Sequence, residues 1–219
     1  MTNLCSIFRQ SFAAATLLAF PLFAKAQTTT YSGEAAAARA DVLGLINVSL
    51  SDTGALPSSG GSLSASLLQF QLQPTLDLNL LSAATSGGNN QTASQASVTN
   101  VSINVAGVHV TASVLASNAT VTCDASGNPS ASGSANIVDL KVNGLRVDVS
   151  SEPNFTVPLL VGSLVINQQS SSVDPVAGTA NMLVNALHLR VNGVADVVIS
   201  SSAAGISCGG NGGGPISPE

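Results

Sequence analysis

A chain of 219 residues, 45% apolar, 8% charged and 3% aromatic, is long enough for one large domain. It holds too many apolar side chains for a disordered polyelectrolyte. Six Lys+Arg against eleven Asp+Glu, a formal net charge of −5, argue against nucleic-acid binding, because phosphate contacts need clustered cations.

Residues 1–26 read as a secretory signal peptide: Arg9, then an apolar run from Phe12 to Phe23, then the small-residue site Ala24-Lys25-Ala26 before Gln27. The run is far shorter than the roughly 20 residues a bilayer span requires. Cys5 precedes it and so is no lipidated cysteine of a mature N-terminus. Removing Arg9 and Lys25 leaves four cations against eleven acids. The mature chain is then clearly acidic, which disfavours anionic membrane surfaces. Residues 27–208 read as a single domain and residues 209–219 as a flexible Gly/Pro-rich tail. No transmembrane segment is visible in the mature chain.

Helical periodicity is confined to the Ala-rich run Glu34–Leu45. Beyond it, Val, Ile and Thr alternate with polar residues, as strands do. Leu63–Leu81 reads as two strands broken at Pro74, with Leu68, Phe70 and Leu72, then Leu76, Leu78 and Leu80, on the core side. Ser86–Ser97 and Asp124–Ala135 read as Ser/Gly/Asn-rich connections. Val157–Asn167 is apolar enough for a strand buried on both faces.

One unit recurs three times, over Val101–Ala112, Val138–Val149 and Leu187–Val198, and each copy changes apolar phase at its glycine. A two-residue hairpin loop demands that change. Asn143-Gly144 suits a type I′ turn, in which both loop residues need positive φ, and would set Val142 opposite Leu145, Leu140 opposite Val147 and Val138 opposite Val149. Ala106-Gly107 fits less well. In the third copy a two-residue loop would drop Asp196 onto the inner face opposite Leu189, so a bulge or fraying is expected there. Isolated hairpins are marginal in water, so they must stack. The expected fold is all-β, a sandwich of layered antiparallel sheets built from hairpins. Cys123 and Cys208, the even pair of an exported chain, read as one disulfide; it would close about 85 residues and stabilise the fold by about 4.5 kcal/mol.

Two segments, Val138–Gln169 and Val184–Cys208, resemble the choice-of-anchor P family of bacterial exported proteins. The features carrying the resemblance are the Asn-Gly-Leu hairpin at Asn143, Pro153-Asn154 before an apolar run, the Asn167-Gln168 stop, and Asn185-Ala186-Leu187-His188 ahead of a closing cysteine. The resemblance implies a domain displayed outside the cell, with attachment signals that differ between members. It supplies no catalytic residues.

His188, with Arg190 and Asp196, forms the candidate polar ligand site, although alternation with apolar neighbours puts both His188 and His109 on solvated strand faces. Two histidines so far apart offer no metal-ligand spacing, and no metal or cofactor is expected. Asp139 facing Asp148 and Lys141 facing Arg146 read as diagonal ion pairs on an exposed hairpin rather than a catalytic carboxylate pair. Asp124-Ala-Ser-Gly-Asn128 reads as a turn, not a calcium loop. Sequons at Asn47, Asn90, Asn100, Asn118 and Asn154 would stay unmodified in a bacterium. The exposed aromatics available for a sugar platform are Tyr31, Phe70 and Phe155. The expected function is a non-enzymatic structural or adhesive domain, secreted or at the cell surface, with cell-envelope or extracellular polysaccharide as partner. The alternatives are a carbohydrate- or small-ligand-binding module and, behind it, a secreted hydrolase.

Overall fold

The computed structural model describes residues 28–149 and 152–209; the expected signal peptide and almost all of the expected Gly/Pro tail lie outside the described residues. The described chain is all-β: two antiparallel sheets packed face to face. Sheet A is formed by β1 (Thr30–Val42), β2 (Ile46–Asp52), β10 (Phe155–Leu159), β11 (Gly162–Asp174), β12 (Thr179–Val191) and β13 (Ala195–Ser207), in the order β10-β11-β12-β13-β1-β2. Sheet B runs β3 (Gly61–Leu72), β4 (Leu76–Gly88), β5 (Gln91–Val105), β6 (Val108–Cys123), β8 (Lys141–Val142) and β9 (Leu145–Arg146); β7 (Pro129–Val138) shares β6's free edge with β8. No helix among the described residues is long and apolar enough to cross a membrane.

The long strands β1, β4, β5, β6, β12 and β13 switch their buried face once, near mid-length. In β5 the inner residues are Thr92, Ser94, Ala96 and Val98, then Val101, Ile103 and Val105. In β13 they are Val197 and Ile199, then Ser200, Ser202, Ala204 and Ile206. A strand with period-two alternation can do this only if one residue leaves the pleat. In β2, β11 and β13 that residue has a left-handed backbone, Ser51, Asn167 and Ser200 (φ 47°, 50° and 59°), as have Leu80 in β4, Asn100 in β5 and Asp139 between β7 and β8 (φ 44°, 48° and 54°); β1, β6 and β12 follow their partners without one. The ladders skip a pair at each, as between Ala36–Ser201 and Ala38–Ile199. The result is a waist across both sheets.

On one side of the waist the core is aliphatic: Leu76, Leu78, Val101, Ile103, Val110, Leu164, Ile166, Leu187, Leu189 and Ile199 are almost wholly buried. On the other side small residues meet. Ala35, Ala83 and Ala96 touch, and hydroxyls cross the layers: Thr92 Oγ1 donates to Gly205 O (2.9 Å), Ser94 Oγ to Ala203 O (2.6 Å) and Ser200 Oγ to Ala96 O (2.9 Å), while Ser117 and Ser202 share a 2.7 Å bond. One serine side chain bridges the sheets, so they lie closer than the ~10 Å spacing that large interdigitating side chains require. A Cβ on Gly33 would stand 2.5 Å from Thr85 Oγ1, which is why that position has none. Cys123, ending β6, and Cys208, just past β13, close this pole with a disulfide joining the two sheets, as expected from the cysteine pair.

Several expectations are corrected. Glu34–Leu45 is no helix: its alanines lie in β1, where Ala35 to Ala38 are at most 1% exposed and their small size lets the sheets approach, a tertiary demand that overrides propensity. Ser86–Ser97 is not a connection but the end of β4, a two-residue turn at Asn89-Asn90 (φ 51° and 60°) and the start of β5, whose hydroxyls face inward. Most of Asp124–Ala135 likewise belongs to β7. Val157–Asn167 is not one buried strand but an edge hairpin turning at the exposed Leu160. Leu68 and Leu80 are exposed, because Leu80 stands at the waist and Leu81 takes the inner position.

The hairpins behave unequally. Ala106-Gly107 (φ 49° and 79°) joins Val105 to Val108 as a two-residue turn, the alanine accepting positive φ. Asn143-Gly144 (φ 51° and 81°) pairs Val142 with Leu145 and Lys141 with Arg146, and Val147 N reaches Leu140 O at 2.9 Å. The apolar face is shorter than expected: Asp139 breaks phase, Val138 pairs with Val114 instead, and Val138 and Leu145 are exposed. The third hairpin has neither bulge nor fraying at Asp196. Its loop has three residues, Asn192 to Val194 with Gly193 at φ 66°, and this shifts the register so that Arg190 faces Asp196 on the outer side.

Candidate functional site

The extra loop residue assembles the polar cluster. In β12 beyond the waist, Leu187, Leu189 and Val191 point inward, leaving His188 and Arg190 on the outer face of sheet A; the register sets Arg190 against Asp196. The three predicted residues come together: His188 Nε2 lies 2.8 Å from Asp196 Oδ1, and Arg190 Nε lies 3.1 Å from His188 Nε2 and 3.4 Å from Asp196 Oδ2.

His188 is on the predicted face, but it is not solvated: it is 3% exposed. Its Nδ1 lies 2.8 Å from Gln168 Oε1, which also accepts from Asn185 Nδ2 at 2.9 Å. Because that oxygen only accepts, Nδ1 carries the hydrogen. Nε2 then either donates to Asp196 as an imidazolium or accepts from Arg190 as a neutral ring. Both ring nitrogens are engaged, so the ring is held in place and the reachable groups are Asp196 and Arg190, each about half exposed (53% and 56%).

Gln168 and Asn185 were not among the predicted site residues. Their signal lay in the motifs noted around Asn167-Gln168 and Asn185–His188, and the waist at Asn167 turns those two segments toward each other. Asn154 joins them: its Nδ2 donates to Gln169 O (3.2 Å), and its Oδ1 accepts from Gln169 N (2.9 Å). Asn154, Gln168, Asn181, Asn185, His188 and Arg190 line one groove of ≈ 440 Å³. Asn185 Oδ1 is buried there without a hydrogen-bond partner.

A second charged group continues the face across β1, where the alanine run Glu34–Leu45 had read as a helix, and β2. Arg39 pairs with Glu34 and with Asp52 (3.6 Å). Burial lifts the Glu34 carboxyl above its ordinary value, with Asp52 adding to the rise and Arg39 opposing it. Burial pushes Asp52 up as well, but the Ser49 hydroxyl, the Gly54 amide and Arg39 outweigh it and hold Asp52 below the usual range. Asp41 stands opposite Asp196 between the two groups.

The remaining candidates are placed apart. His109 is exposed and near Ser102 Oγ (3.4 Å). Asp139 pairs with Arg146 at 3.6 Å, the diagonal contact expected. Asp124 Oδ1 accepts from the amides of Ser126 and Asn128 (2.8 Å each), a turn in which the Asn128 side chain and those amides lower its pKa. Tyr31 packs at the disulfide pole and Phe70 against the aliphatic core, so with Phe155 they form no common platform. Among the described residues, no three His, Cys, Asp or Glu side chains gather as a metal site. Comparison with known protein families, with characterised proteins and with solved structures finds no match.

Proposed function

We propose that this chain is an exported structural or adhesive β-domain of the cell envelope or its surroundings, without catalytic activity. The observation that carries this reading is the cross-sheet disulfide between Cys123 and Cys208, set in a pole already zipped by buried hydroxyls. Such a bond persists in oxidising compartments and suits a module that must hold its shape outside the cytosol. The export signal and the resemblance to choice-of-anchor P proteins support the same location. Mass spectrometry of the protein from its natural source tests it. We expect a mature N-terminus at Gln27, a Cys123–Cys208 crosslinked peptide and recovery in the extracellular or surface fraction. Free thiols with an intact leader in the cytosolic fraction would refute it.

A second reading, a polysaccharide-binding module, is favoured by the groove lined by Asn154, Gln168, Asn181, Asn185, His188 and Arg190. Side-chain amides that both donate and accept suit the hydroxyls of a neutral glycan. Retention on immobilised envelope polysaccharide tests it: the wild type is retained and Gln168→Ala with Asn181→Ala elutes early. Equal retention of both proteins would leave the structural reading alone.

A further inference from the structure

At the aliphatic pole of sheet A the last ladder row runs straight across all its strands, through Leu159, Gly162, Val191, Ala195, Val42 and Ile46. Three hairpin loops project beyond this row. They carry Leu160 (106% exposed), Leu43 (75%), Leu45 (64%), Val161 (39%) and Val194 (38%). Backbone bonds tie neighbouring loops together, Asn192 N to Val161 O and Leu43 N to Val194 O, each 2.9 Å. With two strands between neighbouring loops, the fingertips form a line about 20 Å long. The sheet B turns at the same aliphatic core are built differently: Gln73-Pro74-Thr75, Ala106-Gly107 and Asn143-Gly144. Sheet B sets one exposed leucine beside these turns, Leu145 (75% exposed) after Asn143-Gly144, whereas each of the three sheet A loops carries exposed apolar side chains.

Directly behind the tips lies a charged row, Arg190 facing Asp196 and Asp196 facing Asp41. With Leu43, Gly193 and Val194 these residues line a notch of ≈ 400 Å³. Apolar tips followed at once by both signs of charge match the layering of a bilayer surface, acyl chains and then headgroups. Separate convex tips with Asn192 and Gly193 between them offer no continuous apolar face of the kind a protein interface needs. Hydrocarbon accepts such tips without a complementary pocket. Thr30 at the start of the first strand and Ser207 at the end of the last pair at the opposite pole, about 40 Å away along a 13-residue strand.

We propose that the loops 43–45, 160–161 and 192–194 insert into the surface of a zwitterionic lipid bilayer, with Arg190 meeting the headgroup phosphate and Asp41 and Asp196 its quaternary ammonium. The excess of acids in the mature chain, eleven against four cations, sets the preference for zwitterionic over anionic lipid. This inference goes beyond the structural reading; Arg190 stands between the notch and the amide groove and lines both.

Flotation of the mature chain with phosphatidylcholine vesicles tests it. The wild type floats, and adding phosphatidylglycerol weakens the binding. Leu160→Ser lowers the partition coefficient about tenfold, the size expected for withdrawing one leucine from hydrocarbon. Leu43→Ser with Leu45→Ser lowers it further, while Val176→Ser, equally exposed at the opposite pole, leaves it unchanged. All these residues are solvent-facing loop positions, so the fold survives each change. The proposal fails if the wild type does not float, or if Val176→Ser matters as much as Leu160→Ser. It also fails if Leu160→Ser abolishes only a concentration-dependent dimer, which would assign the tips to a second copy. Gln168→Ala with Asn181→Ala should leave flotation intact, so this test and that of the glycan groove fail independently.

Discussion

The two halves of the sandwich solve the same packing problem with opposite chemistry. The aliphatic half buries Leu, Ile and Val side chains that fill the space between layers and need no hydrogen-bond partner. The disulfide half buries Ala, Ser, Thr and Gly, brings the sheets closer, and needs partners for the hydroxyls it hides; those of Thr92, Ser94, Ser200 and Ser202 bond to the opposite sheet's backbone. The first half gains from area removed from water, the second from close contact, cross-layer hydrogen bonds and a covalent bond. Stability in the second half should therefore depend on geometry, and in the first on volume.

That contrast can be broken experimentally. The largest effect should come from the disulfide: reduction, or Cys123→Ser with Cys208→Ser, should cost up to about 4.5 kcal/mol for a closed loop of 85 residues, read as a lower urea midpoint. In the aliphatic half, Leu187→Ala should destabilise by about 3 kcal/mol through lost transfer energy and a cavity. In the small-residue half the sensitive direction reverses. Gly33→Ala, adding one methyl group against Thr85 and Ser94, should cost about 1–3 kcal/mol. Deleting a hydroxyl with Ser200→Ala should cost about 1 kcal/mol. If Gly33→Ala proves neutral, the close approach of the layers is not what holds that pole.

The smallest effect sharpens the comparison at the surface. Asp52 is held below its usual pKa in the folded chain, so it contributes stability at neutral pH that is lost as pH falls below about 4, the unfolded value. Glu34 has the opposite sign: its raised pKa means that ionisation weakens the fold, a penalty relieved on acidification. Asp52→Asn should therefore flatten the acid limb of a melting-temperature profile, and Glu34→Gln should steepen it. Both changes should stay under about 1 kcal/mol for a pair at the surface.

How much of the candidate site was legible varies by residue. His188, Arg190 and Asp196 could be named from their types and proximity on one hairpin. Their contact depended on a third loop residue, Val194, which two-residue turn logic did not supply. Arg39 and Glu34 stayed hidden inside an alanine run whose local propensity is helical. Gln168 and Asn185 sit far apart in the chain and meet only because β11 and β12 pair.

What the chain order alone determined was everything set by near neighbours: the strand class from period-two alternation and the turns at Ala106-Gly107 and Asn143-Gly144 from glycine's tolerance of positive φ, with the disulfide read from Cys123 and Cys208, the two cysteines beyond the N-terminal apolar run. What only the tertiary structure decided was the mid-strand change of face, the strand made from alanines, the burial of His188 and the leucine-tipped pole. Each depends on what the opposite layer or the adjacent strand presents. Asn100, Asn167 and Asp139 are residue types that accept a left-handed backbone, but Ser51, Ser200 and Leu80 adopt it because the packed sheets require the paired long strands to turn along the same line.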